Sequence, residues 1–308
     1  MGRGRFLRAM CAIGVVVLSV LTAPPTAYAS ILGEDDRQPD TGQLPWTSAV
    51  GYVMRADAKN GVLSGIGTAF LMGPRVVLTN WHNVFGDNGA LNKGEWVYVA
   101  EGETSGRKVR ILPHFQFTTI TDGDLPLGPR SRQRDFIALI LEEPLDYAPL
   151  AIAPPAPVDR NVTEVGGARY TMAGVSLTFD YDGATPRTIQ SCCAFASLAR
   201  NAQFPRAPGL IGHTCDVWPG HSGAPLVETT GGRTIVRAIN VAQVYPETAR
   251  DVYERRKHAG EIIPISLSNH INIAIPVTAA MVDLVRRANA FVKTLAPLKF
   301  QTAEPPSP

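Results

Sequence analysis

The stretch CDVWPGHSGAPLV, from Cys215 to Val227, places a serine inside a glycine-rich turn and directly before a strand-like run. Glycines at positions 220 and 223 allow the backbone to curl tightly around Ser222, so that the N–H groups of Gly220 and Ser222 face one point. Such a turn is typical either of an ordinary turn serine or of a hydroxyl presented for attack on a carbonyl. The rest of the sequence decides between these two interpretations.

Short runs rich in Val, Ile, Thr and aromatic residues recur along the chain between Gly, Pro and Asn breaks. Many short strands at this spacing are typical of β-sandwiches and β-barrels. Gly73-Pro74 and Gly231-Gly232 predict tight turns between strands. After Pro276, apolar residues recur at helical spacing and Thr278 is available as the N-cap. The sequence therefore predicts an all-β fold with one C-terminal α-helix.

The first 29 residues have the layout of a secretory signal. MGRGRFLR carries three arginines and no acid, an apolar run follows, and Ala27-Tyr28-Ala29 is a small-x-small cleavage site. A retained membrane anchor is the alternative, but no polar stop-transfer flank follows the apolar run. We therefore predict cleavage after Ala29, a secreted or periplasmic location, and no membrane association after cleavage.

Loss of these three arginines changes the charge of the chain. The full sequence has 29 basic and 27 acidic residues, so the cleaved chain has 26 basic and 27 acidic ones. A nucleic-acid partner requires a concentrated basic face, which this balance does not indicate.

Three cysteines follow the cleavage site, at positions 192, 193 and 215. Export implies an oxidising compartment, where one disulfide and one remaining thiol are expected. A bond between adjacent cysteines would be strained, so we expect Cys215 to pair with Cys192 or Cys193. The histidines are not arranged to complete a zinc site, and we predict no metal.

A serine nucleophile needs a base and a carboxylate that orients the base. Among six histidines, His82 follows the strand-like run RVVLTN, and a strand end is where a barrel positions a base. His221 adjoins the serine, but neighbours on an extended chain point in opposite directions. Asp135 opens the apolar run DFIALIL, where a carboxylate must be hydrogen-bonded or exposed. These positions predict His82 as the base and Asp135 as its orienting group.

Three segments in this order, LTNWHNVF, RDFIALIL and PGHSGAP, resemble the catalytic segments of the trypsin-like serine peptidases. Within that family they resemble the bacterial glutamyl-endopeptidase-like branch, as does the opening ILGEDDRQPDTGQLPWTSAVGYV. The resemblance covers roughly residues 31 to 295. It implies His82 as base, Asp135 as orienter, Ser222 as nucleophile, and the N–H groups of Gly220 and Ser222 as the oxyanion hole.

The resemblance also implies the architecture: two six-stranded-type antiparallel β-barrels, with the site between them, and a C-terminal α-helix. It implies a peptide or protein substrate and no cofactor, and we expect a monomer. The corresponding segments are a signal peptide (1–29), an N-terminal β-barrel with His82 and Asp135 (30–150), a Pro-rich connector (151–165), a C-terminal β-barrel with Ser222 (166–276), the helix (277–296) and a disordered tail (297–308).

Several positions depart from the family pattern. Asn83 follows the histidine where many relatives have a cysteine, and His221 replaces the acid that animal relatives use in activation. Asn240 stands where glutamate-specific relatives have a histidine, so acid specificity is not supported. Asp216 has the offset of the acid that selects Arg or Lys, but acid-cleaving relatives also carry an aspartate there.

The candidate substrate-binding residues are Asp216, Asn240, Val241 and Gln243. Residues 245–269 are longer than a simple hairpin connection, and we interpret them as a charged flap over the cleft.

The GHSGA turn has two other interpretations. An α/β-hydrolase would require a helix directly after the serine, with His258 or His270 as base, whereas Pro225 and the run TIVRAI indicate strands. A latent or inactive binding protein on the same barrels is the remaining alternative, because a fold does not guarantee a function. The sequence favours a secreted serine endopeptidase acting through an acyl-enzyme.

Overall fold

The computed structural model describes residues 36–56, 63–86, 88–100, 107–127, 131–154, 169–175, 187–195, 209–218, 220–244 and 271–295. The predicted signal peptide, residues 155–165 of the connector, the predicted flap and the predicted tail lie outside the described residues.

Six strands of the N-terminal half form one antiparallel sheet in the order β6-β5-β2-β3-β4-β7. They are β2 Val50–Ala56, β3 Leu63–Gly73, β4 Val76–Thr79, β5 Glu95–Val99, β6 Lys108–Arg110 and β7 Ile137–Ile140. An isolated bridge between Ile111 and Leu141 joins the ends of the two edge strands, so the sheet curls back on itself. The Gly73-Pro74 dipeptide connects β3 to β4, as the sequence predicts.

The second sheet contains eight strands. They are β1 Gln38–Pro39, β8 Ala151–Ile152, β9 Arg169–Val175, β10 Arg187–Phe195, β11 Ile211–His213, β12 Pro225–Thr230, β13 Arg233–Val244 and β14 Ile271–Pro276. The strands β10-β11-β14-β13-β12-β9 pair in that order, and β9 pairs again with β10, so these strands close into a ring. Only β8 runs parallel to its partner, β13, among the described pairings.

The β12–β13 hairpin turns at Gly231 and Gly232, which have φ angles of 58° and 76°. A two-residue hairpin loop with positive φ at both positions matches the twist of the flanking strands, and glycine adopts it without steric cost. The tight turn predicted for this dipeptide is therefore present.

One α-helix, α1, spans Ala279–Thr294 and begins after Thr278, whose hydroxyl accepts a hydrogen bond from the Met281 N–H at 3.2 Å. Its apolar face buries Met281, Leu284, Val285 and Ala288 against the first sheet, where it packs on β4 and β7. All four residues of β7 are buried. The predicted all-β fold, with two curled antiparallel sheets and a C-terminal helix, is confirmed.

The short strand β1 pairs with β10 of the second sheet, although it precedes the first sheet in sequence. A buried ion pair joins Asp40 to Arg187, with 2.5 Å between Oδ2 and Nε. The Arg187 guanidinium also donates to the carbonyls of Thr47 and Val50. Arg187 of the second sheet thus binds both the N-terminal segment and the start of the first sheet.

Candidate active site

His82 lies in a 3₁₀ turn, Trp81–Asn83, that follows the end of β4. Its backbone N–H donates to Asp135 Oδ1 at 2.9 Å, and its ring Nδ1 lies 2.6 Å from Asp135 Oδ2. The backbone of Asp135 is held as well, because the Asn80 side-chain amide donates to the Asp135 carbonyl at 2.9 Å. Both carboxylate oxygens of Asp135 are therefore used by the same histidine.

The Asp135 carboxylate is fully buried at the start of β7. Burial alone would raise its pKa, but the adjacent His82 charge and the hydrogen bonds from His82 outweigh burial and lower the pKa below its ordinary value. Because an ionised carboxylate only accepts hydrogen bonds, Nδ1 of His82 carries the proton of the neutral ring. Nε2 is then the nitrogen that can take up a proton, and 26% of the His82 side chain is exposed.

Ser222 lies in the turn between Cys215 and β12. Gly220 and Gly223 have φ angles of 101° and 91°, which residues with a side chain rarely adopt. A Cβ on Gly223 would lie 2.1 Å from the Thr68 carbonyl oxygen, so the turn requires glycine there for space as well.

Thr68, on β3 of the first sheet, holds the backbone on both sides of the serine turn. Its N–H donates to the Ser222 carbonyl at 2.8 Å, and its hydroxyl donates to the Gly220 carbonyl at 2.6 Å. The same hydroxyl accepts from the Val175 N–H at 2.9 Å, so it is satisfied as donor and acceptor. One buried residue of the first sheet thereby fixes two segments of the second.

Asn83 links the histidine turn to the serine turn. Its side-chain amide donates to the Ser222 carbonyl at 3.0 Å and to the Thr79 hydroxyl at 2.9 Å. The amide packs over Gly67, where a Cβ would lie 2.3 Å from the Asn83 nitrogen. Asn83, at the position where many relatives have a cysteine, therefore makes a buried polar contact between the two sheets.

The structure thus brings His82 and Asp135 into direct contact and ties the Ser222 backbone to the residue after His82. The nucleophile, base and oxyanion-hole roles of these residues stay predictions.

Three of the four candidate substrate-binding residues are buried. Asp216 is 2% exposed, and its carboxylate accepts from the Asp36 N–H at 3.3 Å. Asn240 and Val241 are buried on β13. The side chain of Gln243 lies outside the described part of the structure. Substrate contact by any of them stays a prediction.

Cys215 forms its disulfide with Cys192 rather than with Cys193. Among the described residues, Cys192, Cys215 and His213 form a group that could hold a metal, with ligand atoms within 4.8 Å of one another. Because the two sulfurs are bonded to each other, neither is a thiolate ligand in this state.

His213, on β11, is fully buried, and its Nε2 lies 3.0 Å from Asn240 Oδ1. Burial lowers the pKa of His213 to about 4, and the hydrogen bond with Asn240 offsets burial only in part. Sequence reasoning assigned no role to His213, Thr68 or the Asn83 amide. The one available signal was the small-residue run GIGTAFLM, which predicts close packing around Thr68.

Across the described ranges, no helix has the length and apolar character needed to cross a membrane.

Comparison with known proteins gives a family match. Residues 67–235, more than half of the chain, match the family model of the trypsin-like peptidase domain. No curated protein matches the chain.

Solved structures share the fold at low sequence identity. The structure of a Glu endopeptidase is 16% identical, with a TM-score of 0.55, and the match covers 85% of this chain and all of that one. The thermostable serine protease AL20 from an extremophilic microorganism is 12% identical (TM-score 0.53, 80% of this chain, 99% of that one). The protease Anisep from Arthrobacter nicotinovorans is 12% identical (TM-score 0.52, 79% and 96%). The chain belongs to the trypsin-like peptidase family.

Proposed function

We propose that this chain is an exported serine endopeptidase that hydrolyses peptide bonds through an acyl-enzyme on Ser222. Its domains are those that the sequence predicts, with cleavage of the signal peptide after Ala29. It acts as a monomer on a peptide or protein substrate and requires no cofactor.

The observation that carries this proposal is the contact of His82 with a fully buried Asp135 through both carboxylate oxygens. A buried carboxylate that accepts from the backbone N–H of a histidine through one oxygen and from its ring Nδ1 through the other fixes the ring orientation and favours the protonated ring that forms during the reaction.

In the first step, Ser222 Oγ attacks the carbonyl carbon of the scissile peptide while Nε2 of His82 accepts the hydroxyl proton. The carbonyl oxygen becomes an oxyanion and is stabilised by the N–H groups of Gly220 and Ser222. When the tetrahedral intermediate collapses, the C–N bond breaks and His82 gives its proton to the leaving amine. An ester between Ser222 and the acyl group remains.

In the second step, water attacks the ester and His82 accepts one of its protons. Collapse of the second tetrahedral intermediate releases the carboxylic acid, and His82 returns the proton to Ser222 Oγ. The reaction requires an unprotonated Nε2, so activity is expected at neutral to mildly alkaline pH and is lost in acid.

Hydrolysis of fluorescently labelled casein by the purified mature protein tests this proposal. We expect cleavage that is stopped by a fluorophosphonate and is absent from a folded Ser222→Ala variant. N-terminal sequencing of the exported protein should begin at Ser30. Equal cleavage by Ser222→Ala would overturn the assignment of the nucleophile, and a folded wild type without cleavage or phosphonylation would favour the binding-protein alternative.

A further inference from the structure

We propose that His213 and Asn240 form a buried relay that orients the Ser222 N–H toward the oxyanion. Both are positioning residues, since they act through the backbone and touch no reacting atom. This inference rests on the proposed function and deepens it, because it assigns the groups that organise the oxyanion hole.

Asn240 is bonded to three points of the serine turn. Its side-chain amide donates to the His221 carbonyl at 2.9 Å. Its backbone carbonyl accepts from the Gly223 N–H at 2.9 Å, and its backbone N–H donates to the Ala224 carbonyl at 2.8 Å. Asn240 is 2% exposed, so these bonds lie away from solvent. One residue of β13 therefore holds the backbone immediately before and after Ser222.

The hydrogen-bond chemistry determines the orientation of the Asn240 amide and the tautomer of His213. The His221 carbonyl can only accept, so the Asn240 group that faces it is the NH₂. The Asn240 oxygen then faces Nε2 of His213 at 3.0 Å. Because that oxygen also only accepts, Nε2 of His213 carries the hydrogen. His213 thus donates to Asn240, and Asn240 donates to His221.

The geometry of the peptide bond passes this orientation on to Ser222. The peptide that joins His221 to Ser222 is trans, since the one cis bond in the described chain is Leu125–Pro126. In a trans peptide the C=O and N–H point in opposite directions. Holding the His221 carbonyl inward, toward Asn240, therefore turns the Ser222 N–H outward.

The two flanking peptides are fixed independently. In the peptide that joins Gly220 to His221, the Gly220 carbonyl accepts from the Thr68 hydroxyl and the His221 N–H donates to the Trp218 carbonyl at 2.9 Å. In the peptide that joins Ser222 to Gly223, the Ser222 carbonyl accepts from the Thr68 N–H and the Gly223 N–H donates to the Asn240 carbonyl. The His221 carbonyl also accepts from the Ala224 N–H at 2.9 Å, so Asn240 is not its only donor.

A neutral His213 suits this role. Burial lowers its pKa to about 4, so the ring keeps its single hydrogen at the pH at which a neutral His82 can work. His213 therefore adds no charge close to the serine turn at that pH.

The rate of phosphonylation by a fluorophosphonate probe tests the relay, because this reaction also requires the nucleophile and the oxyanion donors. Asn240→Asp keeps the acceptor for His213 and removes the donor to His221. We expect the limiting rate constant to fall about 10- to 100-fold, with little change in the half-saturating probe concentration.

A pair of variants at His213 separates positioning from packing. His213→Gln keeps an N–H near the position of Nε2 and should react within about threefold of the wild type. His213→Leu removes the donor and should react about tenfold more slowly than His213→Gln. Asn289→Asp is the matched control, because Asn289 also donates an amide hydrogen to a backbone carbonyl, that of Met72 in the first sheet. It should react at the wild-type rate.

The outcomes distinguish this inference from the proposed function. Absence of phosphonylation in folded wild type would overturn the proposed function itself. A reactive wild type with an equally reactive, folded Asn240→Asp would overturn the relay alone. If Asn240→Asp does not fold, the two His213 variants decide, and equal rates for them would overturn the relay.

Discussion

His82 and His213 each hydrogen-bond to an oxygen atom on another segment, but the two oxygens belong to different chemical groups. His82 contacts the carboxylate of Asp135 at 2.6 Å at the end of the first sheet, and a quarter of its side chain is exposed. His213 contacts the amide oxygen of Asn240 at 3.0 Å inside the second sheet and is fully buried.

This difference shows how one residue type serves two purposes. A carboxylate stabilises the positive charge that an imidazole gains when it accepts a proton, whereas an amide oxygen does so only weakly. His82 therefore has the environment of a base. His213 has a depressed pKa and the environment of a fixed hydrogen-bond donor. The partner and the burial decide the role, and the histidine itself does not.

The strongest way to break this contrast is to give His82 the kind of partner that His213 has. Asp135→Asn replaces the carboxylate by an amide of the same shape, so the ring loses its charge stabilisation and its imposed tautomer. We expect kcat for casein cleavage to fall about 10⁴-fold, with the fold retained by circular dichroism. A loss smaller than tenfold would mean that the carboxylate is not part of the reaction.

The next effect concerns the stability contributed by His213. An unfolded histidine titrates near pH 6.5, whereas the folded pKa is about 4. Between these values the unfolded chain binds a proton that the folded chain does not, so stability is lost as the pH falls through this window. The full loss is on the order of 3 kcal/mol. Above pH 6.5 this contribution is fully present.

Urea denaturation from pH 7 to pH 4 measures this loss, with His213→Gln as the control because glutamine does not titrate. The wild type should lose more stability than His213→Gln over this range. Parallel curves for the two proteins would contradict the assignment of a buried neutral His213.

A smaller effect is expected where the two halves of the site meet. Thr68→Val removes the hydroxyl that satisfies both the Gly220 carbonyl and the Val175 N–H. Leaving these buried groups unpaired should cost about 2 kcal/mol of unfolding free energy, measured by urea denaturation, and should slow phosphonylation. Thr68→Ser retains the hydroxyl and should remain close to the wild type in reactivity. If valine were tolerated as well as serine, the hydroxyl would not organise the serine turn.

The smallest effect is expected far from both histidines. Thr278→Ala removes the N-cap of α1 and should lower the unfolding free energy by about 1 kcal/mol without changing the phosphonylation rate per folded molecule. Thermal unfolding and probe labelling, measured on the same sample, check both parts. A changed rate would show that the helix end is coupled to the serine turn.

Much of this molecule could be predicted from sequence, because the signals are local. Turn glycines, strand-like runs and the Thr278 cap are written in consecutive residues, and the structure confirms the fold that they predict. The candidate pair of His82 and Asp135 was predictable because each marks the boundary of an apolar run.

The supporting contacts were not predictable, because they depend on register between distant strands. Asn240 lies 27 residues from His213, and Thr68 lies 152 residues from Gly220. The disulfide shows the same limit: neighbouring positions on a strand face opposite sides of a sheet. The choice of Cys192 over Cys193 therefore depends on which face of β10 meets Cys215, and sequence spacing does not encode that face.

Mass-spectrometric mapping of the fluorophosphonate adduct on the mature protein tests the central claim most directly. We predict one adduct per chain, on the peptide that contains Ser222, and no adduct in a folded His82→Ala variant. An adduct on another residue, or a folded wild-type protein that forms no adduct at pH 8, would contradict the account of Ser222 as a nucleophile activated by His82.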